Sequence, residues 1–72
     1  MTELEWLELF GDNLASLLIE ADMTQAELAE ITGMSKATIN KYIHGFQMPT
    51  AFAIVRLAAA LDCNPSELID FE

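Results

Sequence analysis

Apolar residues along this chain recur at intervals of three and four, and nowhere do they alternate with polar residues over several positions. That spacing belongs to helices with one buried face and argues against strands. In the first segment Leu7, Phe10, Leu14, Leu17 and Leu18 make one stripe with Trp6 beside it, predicting a helix from about Thr2 to Ala21. Gly11 interrupts the stripe at about 1 kcal/mol relative to alanine, so a kink or fraying is expected near it.

Further elements follow from capping signals. Thr24-Gln25-Ala26-Glu27 is a capping box: the Thr24 hydroxyl accepts from the third backbone amide while Glu27 reaches back to the cap. A short second helix through Leu28, Ala29 and Ile31 should stop at Gly33, which tolerates the left-handed conformation. Ser35 should cap a third helix, Lys36 to His44, with Ile39 and either Tyr42 or Ile43 inward, and Gly45 at its end. After Pro49 and Thr50, Ala51 to Leu61 predicts a fourth, alanine-rich helix that permits close packing. Asn64-Pro65-Ser66-Glu67 starts a fifth, with Leu68, Ile69 and Phe71 as its apolar residues. The expectation is an all-α, compact five-helix domain over residues 1–72, with no linker and no repeat.

The second and third helices are joined by only a few residues around Gly33, so one can cross the other steeply, as a helix-turn-helix requires. A close crossing needs a small residue, and Ala29 lies four positions before the glycine. It also needs apolar anchors, for which Leu28, Met34 and Ile39 are placed. The helix-turn-helix is expected over about residues 24–45.

Charge sharpens this picture. The chain has 72 residues, 53% of them apolar, with 12 acids against 3 bases and a net charge of −9. So apolar a chain is not disordered, and so short a chain holds one small core. Taken as a total, the charge argues against a polyanionic partner. The distribution argues differently. No base occurs before residue 31 or after residue 56, and between them Lys36, Lys41 and Arg56 stand without an acid. One reading is a set of acidic faces that merely keep an apolar chain in solution. The other is one electropositive face on a body that repels polyanions elsewhere.

The inventory is poor in reactive chemistry. One cysteine, Cys63, and one histidine, His44, exclude an intrachain disulfide and a Cys/His zinc cage. There is no glycine-rich phosphate loop and no nucleophile–base pair, and the core is too small to enclose a substrate pocket of several hundred Å3. No catalytic residue, metal or cofactor is therefore expected. Apolar runs such as Ala51–Val55 fall far short of the roughly 20 residues that span a bilayer, and the acidic N-terminus is unlike a secretory signal. A cytoplasmic protein without a membrane segment is expected.

The run Thr24-Gln25-Ala26-Glu27-Leu28-Ala29, then Gly33-Met34-Ser35, Ile39, Gly45 and Pro49, closely resembles the Cro/phage-repressor (XRE-like) helix-turn-helix family, the lambda-repressor-like DNA-binding domains. Leu57-Ala58, Ala60-Leu61 and Asn64-Pro65-Ser66-Glu67-Leu68 fit the same family, so the resemblance covers about residues 8–71. It implies a transcriptional regulator of bacterial or phage type, repressor-like, that lays its third helix in the DNA major groove as a homodimer on a two-fold operator. Position by position, it puts Ser35, Lys36, Ala37, Asn40 and Lys41 on the base-reading face. Gln25 would contact a phosphate and brace the third helix, with Thr38, Tyr42, His44 and Gln47 as further backbone candidates. Thr38 and Tyr42 have packing as an alternative, and His44 has a favourable place at a helix C-terminus.

The connection after Gly45 departs from the family: Phe46-Gln47-Met48 stands where basic residues usually grip phosphate. With three cations at most per protomer, the salt slope for a dimer is expected near about −5. Leu68, Ile69 and Phe71 are expected to form the dimer surface, with the first helix second. The alternative is a protein-interaction module that keeps the fold with weak or no DNA binding, using the acidic first helix or the Phe46–Met48 turn.

Overall fold

In a computed structural model that describes residues 1–71, five helices pack around a single apolar centre: α1 (Glu3–Glu20), α2 (Gln25–Thr32), α3 (Lys36–Ile43), α4 (Ala51–Ala60) and α5 (Ser66–Ile69). No strand occurs among the described residues. Residue 72, the end of the expected domain and one of its acids, lies outside them.

Local chemistry sets the boundaries. Thr2 and Glu5 make a capping box at the start of α1, and Thr24 and Glu27 make the same box at the start of α2. The sequence reading found the second box and missed the first. Ser35 and Thr50 cap α3 and α4 by accepting from Thr38 and Ala53 backbone amides. α5 has half of the expected device: the Glu67 carboxylate accepts from the Asn64 amide at 2.9 Å, with no reciprocal side-chain cap. At the other ends, Gly33 and Gly45 adopt φ of 75° and 73°. α1 and α4 end instead on Asp22 and Asp62 at φ of 53° and 54°, a conformation aspartate tolerates better than most residues with a Cβ.

The core is built from every helix. Phe10, Leu14, Leu28, Ile39, Leu57 and Leu68 are fully buried, with Ala29, Tyr42, Ala53 and Ala58 closing the gaps between helices. Trp6 stacks on Phe10 at 5.4 Å, Phe10 meets Tyr42 edge-on at 6.0 Å, and Phe71 meets Trp6 edge-on at 5.6 Å. This aromatic chain ties α1 to α3 and to the C-terminal segment, each pair adding about 0.5–1.5 kcal/mol beyond its burial.

Gly11 behaves otherwise than expected. α1 runs through it unbroken, and Gly11 is buried where α3 crosses. A Cβ there would lie 2.8 Å from the Tyr42 carbonyl oxygen and closer still to that of Ile43. The glycine is a point of backbone approach, and its helix-propensity cost is what lets α3 sit so close to α1. The C-terminal helix is held by Asn13, whose side-chain amide donates to the Leu68 carbonyl at 3.0 Å and the Asp70 carbonyl at 3.4 Å. No sequence signal distinguishes this asparagine from a solvated one.

Candidate nucleic-acid interface

The turn between α2 and α3 fixes the angle at which α3 is offered. Gly33 supplies the left-handed residue, and the buried Thr32 organises its surroundings. The Thr32 hydroxyl donates to the Leu28 carbonyl at 2.8 Å and accepts from the Met34 amide at 3.3 Å. The Thr32 carbonyl accepts from the Arg56 guanidinium, which also lies over the Phe52 ring at 5.3 Å. Arg56 thus satisfies a carbonyl at the end of α2, where a cation is favoured by the helix dipole. It is structural, and the cations left for the face of α3 are Lys36 and Lys41.

Successive helical residues turn by about 100°, so Lys36, Asn40, His44, Ala37 and Lys41 fan in that order over about 140° of α3. All five are exposed, while Ile39 and Tyr42 on the opposite side are buried and Thr38 and Ile43 mark the edges as half-buried. Ile39 and Tyr42 thus form the buried pair, and Ile43 is only half-covered. The two lysines stand at the two edges of the exposed fan. Between them are an amide, a methyl and an imidazole, and no carboxylate belongs to this helix.

Gln25, the first residue of α2, is half-buried and accepts at Oε1 from the Asn40 side-chain amide at 3.4 Å. The bond engages the Gln25 side-chain oxygen and not its amide nitrogen. Asn40 keeps its carbonyl oxygen and its second N–H for an external partner. Ser35 and Thr38 are engaged with each other: Ser35 Oγ accepts from the Thr38 amide at 3.0 Å, and the two hydroxyls lie 2.8 Å apart.

Some expected site residues belong elsewhere. Tyr42 is 4% exposed and packed edge-on against Phe10, so it is a core residue and not a phosphate contact. Leu68 is fully buried, which removes it from any dimer surface, and Phe71 is half-buried against Trp6. Only Ile69 of that trio is open, at 40%. In the turn after α3, Gln47 is half-buried, while Phe46 is 78% exposed, tilted toward the His44 ring at 6.0 Å, and Met48 is 44% exposed.

Comparison with known proteins gives a consistent result. The family model of the Cro/C1-type HTH DNA-binding domain matches residues 13–72. The SPbeta prophage-derived uncharacterized HTH-type transcriptional regulator YopS of Bacillus subtilis is 35% identical over 60 residues, 82% of this chain and 81% of its own. The restriction-modification controller protein C.AhdI of Aeromonas hydrophila superposes with a TM-score of 0.84 at 31% identity, covering 86% of this chain and 94% of its own. The SOS-response transcriptional repressor LexA of Eubacterium rectale gives 0.84 at 30% identity, over 96% of this chain and 73% of the other.

Proposed function

Because the chain belongs to the Cro/C1-type helix-turn-helix DNA-binding family, we propose that it is a transcriptional regulator that occupies a duplex operator as a homodimer, with α3 in the major groove and the acidic body turned away. The observation that carries this reading is the exposed fan of α3, cationic at both edges and uncharged between them, on a chain whose acids all lie outside residues 31–56.

Each group on the fan has a partner in the groove. Lys36 and Lys41 suit phosphate oxygens or the O6 and N7 acceptors of guanine, and Ala37 suits a thymine methyl. Asn40 is more constrained. A phosphate beside the α2 N-terminus requires a donor, so it takes the Gln25 amide nitrogen and turns Oε1 toward Asn40. Asn40 then spends one N–H on Gln25 and presents its oxygen and its remaining N–H together, the pair that matches N6 and N7 of adenine. The backbone contact thereby sets the polarity of the base contact. His44 and Gln47 remain as backbone donors at the far end of α3. The acids elsewhere are screened over about 8 Å at physiological salt and act mainly against non-specific association. Action on DNA in the cytoplasm as a repressor follows from the same reading.

An unbiased selection from random duplexes at low salt tests it. A two-fold motif with an adenine preference in each half-site is expected. If nothing is enriched, the DNA reading falls, and the protein-interaction reading takes its place, favoured by the open Phe46 and Met48 side chains. Lys36→Ala and Asn40→Ala should erase selectivity while keeping stability within about 0.5 kcal/mol, as exposed positions do.

A further inference from the structure

Every described carboxylate of this chain is exposed, and the charges along its helices are arranged like beside like. Residues one turn apart are neighbours on a helix surface. At that spacing Glu5 meets Glu8, Glu8 meets Asp12 and Glu27 meets Glu30, and no acid of α1 or α2 has a base there. The helix ends repeat the pattern. The last turns of α1 and α4 hold no base, while Glu20 closes α1 and Asp62 follows α4, at the pole where the helix dipole favours a cation. The bases are placed elsewhere. Arg56 serves the Thr32 carbonyl and the Phe52 ring, and Lys36 and Lys41 stand on the acid-free face of α3.

We infer that the fold itself is gated by ionic strength: at low salt repulsion among the exposed carboxylates loosens the domain, and added salt consolidates it. The dimensions decide this. The molecule measures 31 × 22 × 21 Å. The screening length is about 30 Å at 0.01 M salt and about 3 Å at 1 M. At the lower value each charge feels the others across the whole domain, and at the higher value only its immediate neighbours. Folding gathers a net charge of −9 into a radius of gyration of 10.9 Å. An unfolded chain of this length has a radius near about 26 Å, so the repulsion falls mainly on the folded state, and salt relieves mainly that state. A core this small leaves little margin against such a term. DNA binding responds in the opposite direction, since salt weakens the grip on phosphate. Operator occupancy scales with the share of chains that are folded, so near the thermal midpoint it should pass through a maximum at intermediate salt. That consequence rests on the DNA-binding reading, whereas the response of the fold does not.

Urea unfolding of the whole chain without DNA, followed by Trp6 fluorescence in NaCl from about 10 mM to about 1 M, tests the inference. The midpoint should rise by at least about 0.5 M urea across that range with an unchanged slope. Choline chloride should match NaCl at equal ionic strength, because screening does not depend on which cation supplies it. Glu8→Gln combined with Asp12→Asn removes one like-charge pair from the exposed side of α1. It should raise the midpoint at low salt and converge on the wild type at about 1 M. A wild-type midpoint that ignores salt overturns the inference. So does a rise that NaCl gives and choline chloride does not, which would belong to a bound sodium ion, or a double variant whose offset from the wild type is the same at every salt concentration. A chain whose fold responds to salt as described but that selects no duplex keeps this inference and loses the proposed function.

Discussion

The Asn40 side-chain amide donates to Gln25 Oε1 across the helix-turn-helix at 3.4 Å, coupling the first residue of α2 to the outer face of α3. In the proposed reading this single bond joins a phosphate contact to a base contact, and the two roles separate by substitution. Gln25→Lys keeps a phosphate donor and removes the acceptor, so affinity should hold while the adenine preference opposite Asn40 relaxes. Gln25→Glu keeps the acceptor and sets a negative charge near phosphate, so affinity should fall while the preference stays. Selection on randomised duplexes reads both, and equal preferences in the two variants would show that Gln25 does not orient Asn40.

The engagement of Arg56 lowers the expected ionic component of binding. With Lys36 and Lys41 as the cations of each protomer, the proposed dimer would neutralise about four phosphates, and the slope of log K against log salt should be about −3.6 instead of about −5. Lys41→Ala should flatten it by about 1.8. Arg56→Met keeps the apolar stem and loses the bond to the Thr32 carbonyl. It should cost about 1 kcal/mol in urea titrations and leave the slope unchanged. A steeper wild-type slope, restored to about −3.6 by Arg56→Met, would return Arg56 to the DNA face.

Gly11→Ala pits helix propensity against packing. Alanine gains about 1 kcal/mol in a helix interior. Here its methyl would press on the Ile43 and Tyr42 carbonyl oxygens, which are backbone atoms of α3 and cannot swing aside. Overpacking costs about 1–3 kcal/mol where neighbours can yield, and more where they cannot. The net effect should be destabilising by at least about 1 kcal/mol in urea or thermal unfolding, with DNA affinity lowered further because α3 is the element displaced.

The element pattern was legible because each boundary carries local chemistry. Thr24 with Glu27, Ser35, Gly33 and Gly45 act within a few residues of themselves, and they stand in the fold as the spacing predicts. The exposed fan of α3 was legible for the same reason, since its angular order is fixed by helix geometry. What escaped the sequence depends on partners far along the chain. Asn13 meets Leu68 across 55 positions and Arg56 meets Thr32 across 24, and neither has a local signature. Tyr42 and Leu68 failed as interface residues for a related reason. An aromatic or aliphatic residue at the edge of a helical stripe faces in or out according to which helix crosses it, and α1 covers the first while the core takes the second.

Cys63 sits half-buried in the joint between α4 and α5, and its thiol is pushed above its ordinary range by burial first, then by the nearby Glu67, Asp62 and Glu20 carboxylates. The folded chain therefore holds the neutral thiol more firmly than the unfolded chain does. That contribution to stability is complete below the unfolded thiol value of about 8.5, and it is lost as pH rises through the higher folded value. Two outcomes follow. Alkylation by iodoacetamide near pH 8 should be several-fold slower in the native protein than in urea, because the thiolate is the reacting form. Cys63→Ser should reduce the fall in stability seen above pH 9, when urea midpoints are compared across pH. A native thiol that reacts as fast as the unfolded one would show that burial and the three carboxylates do not hold its proton.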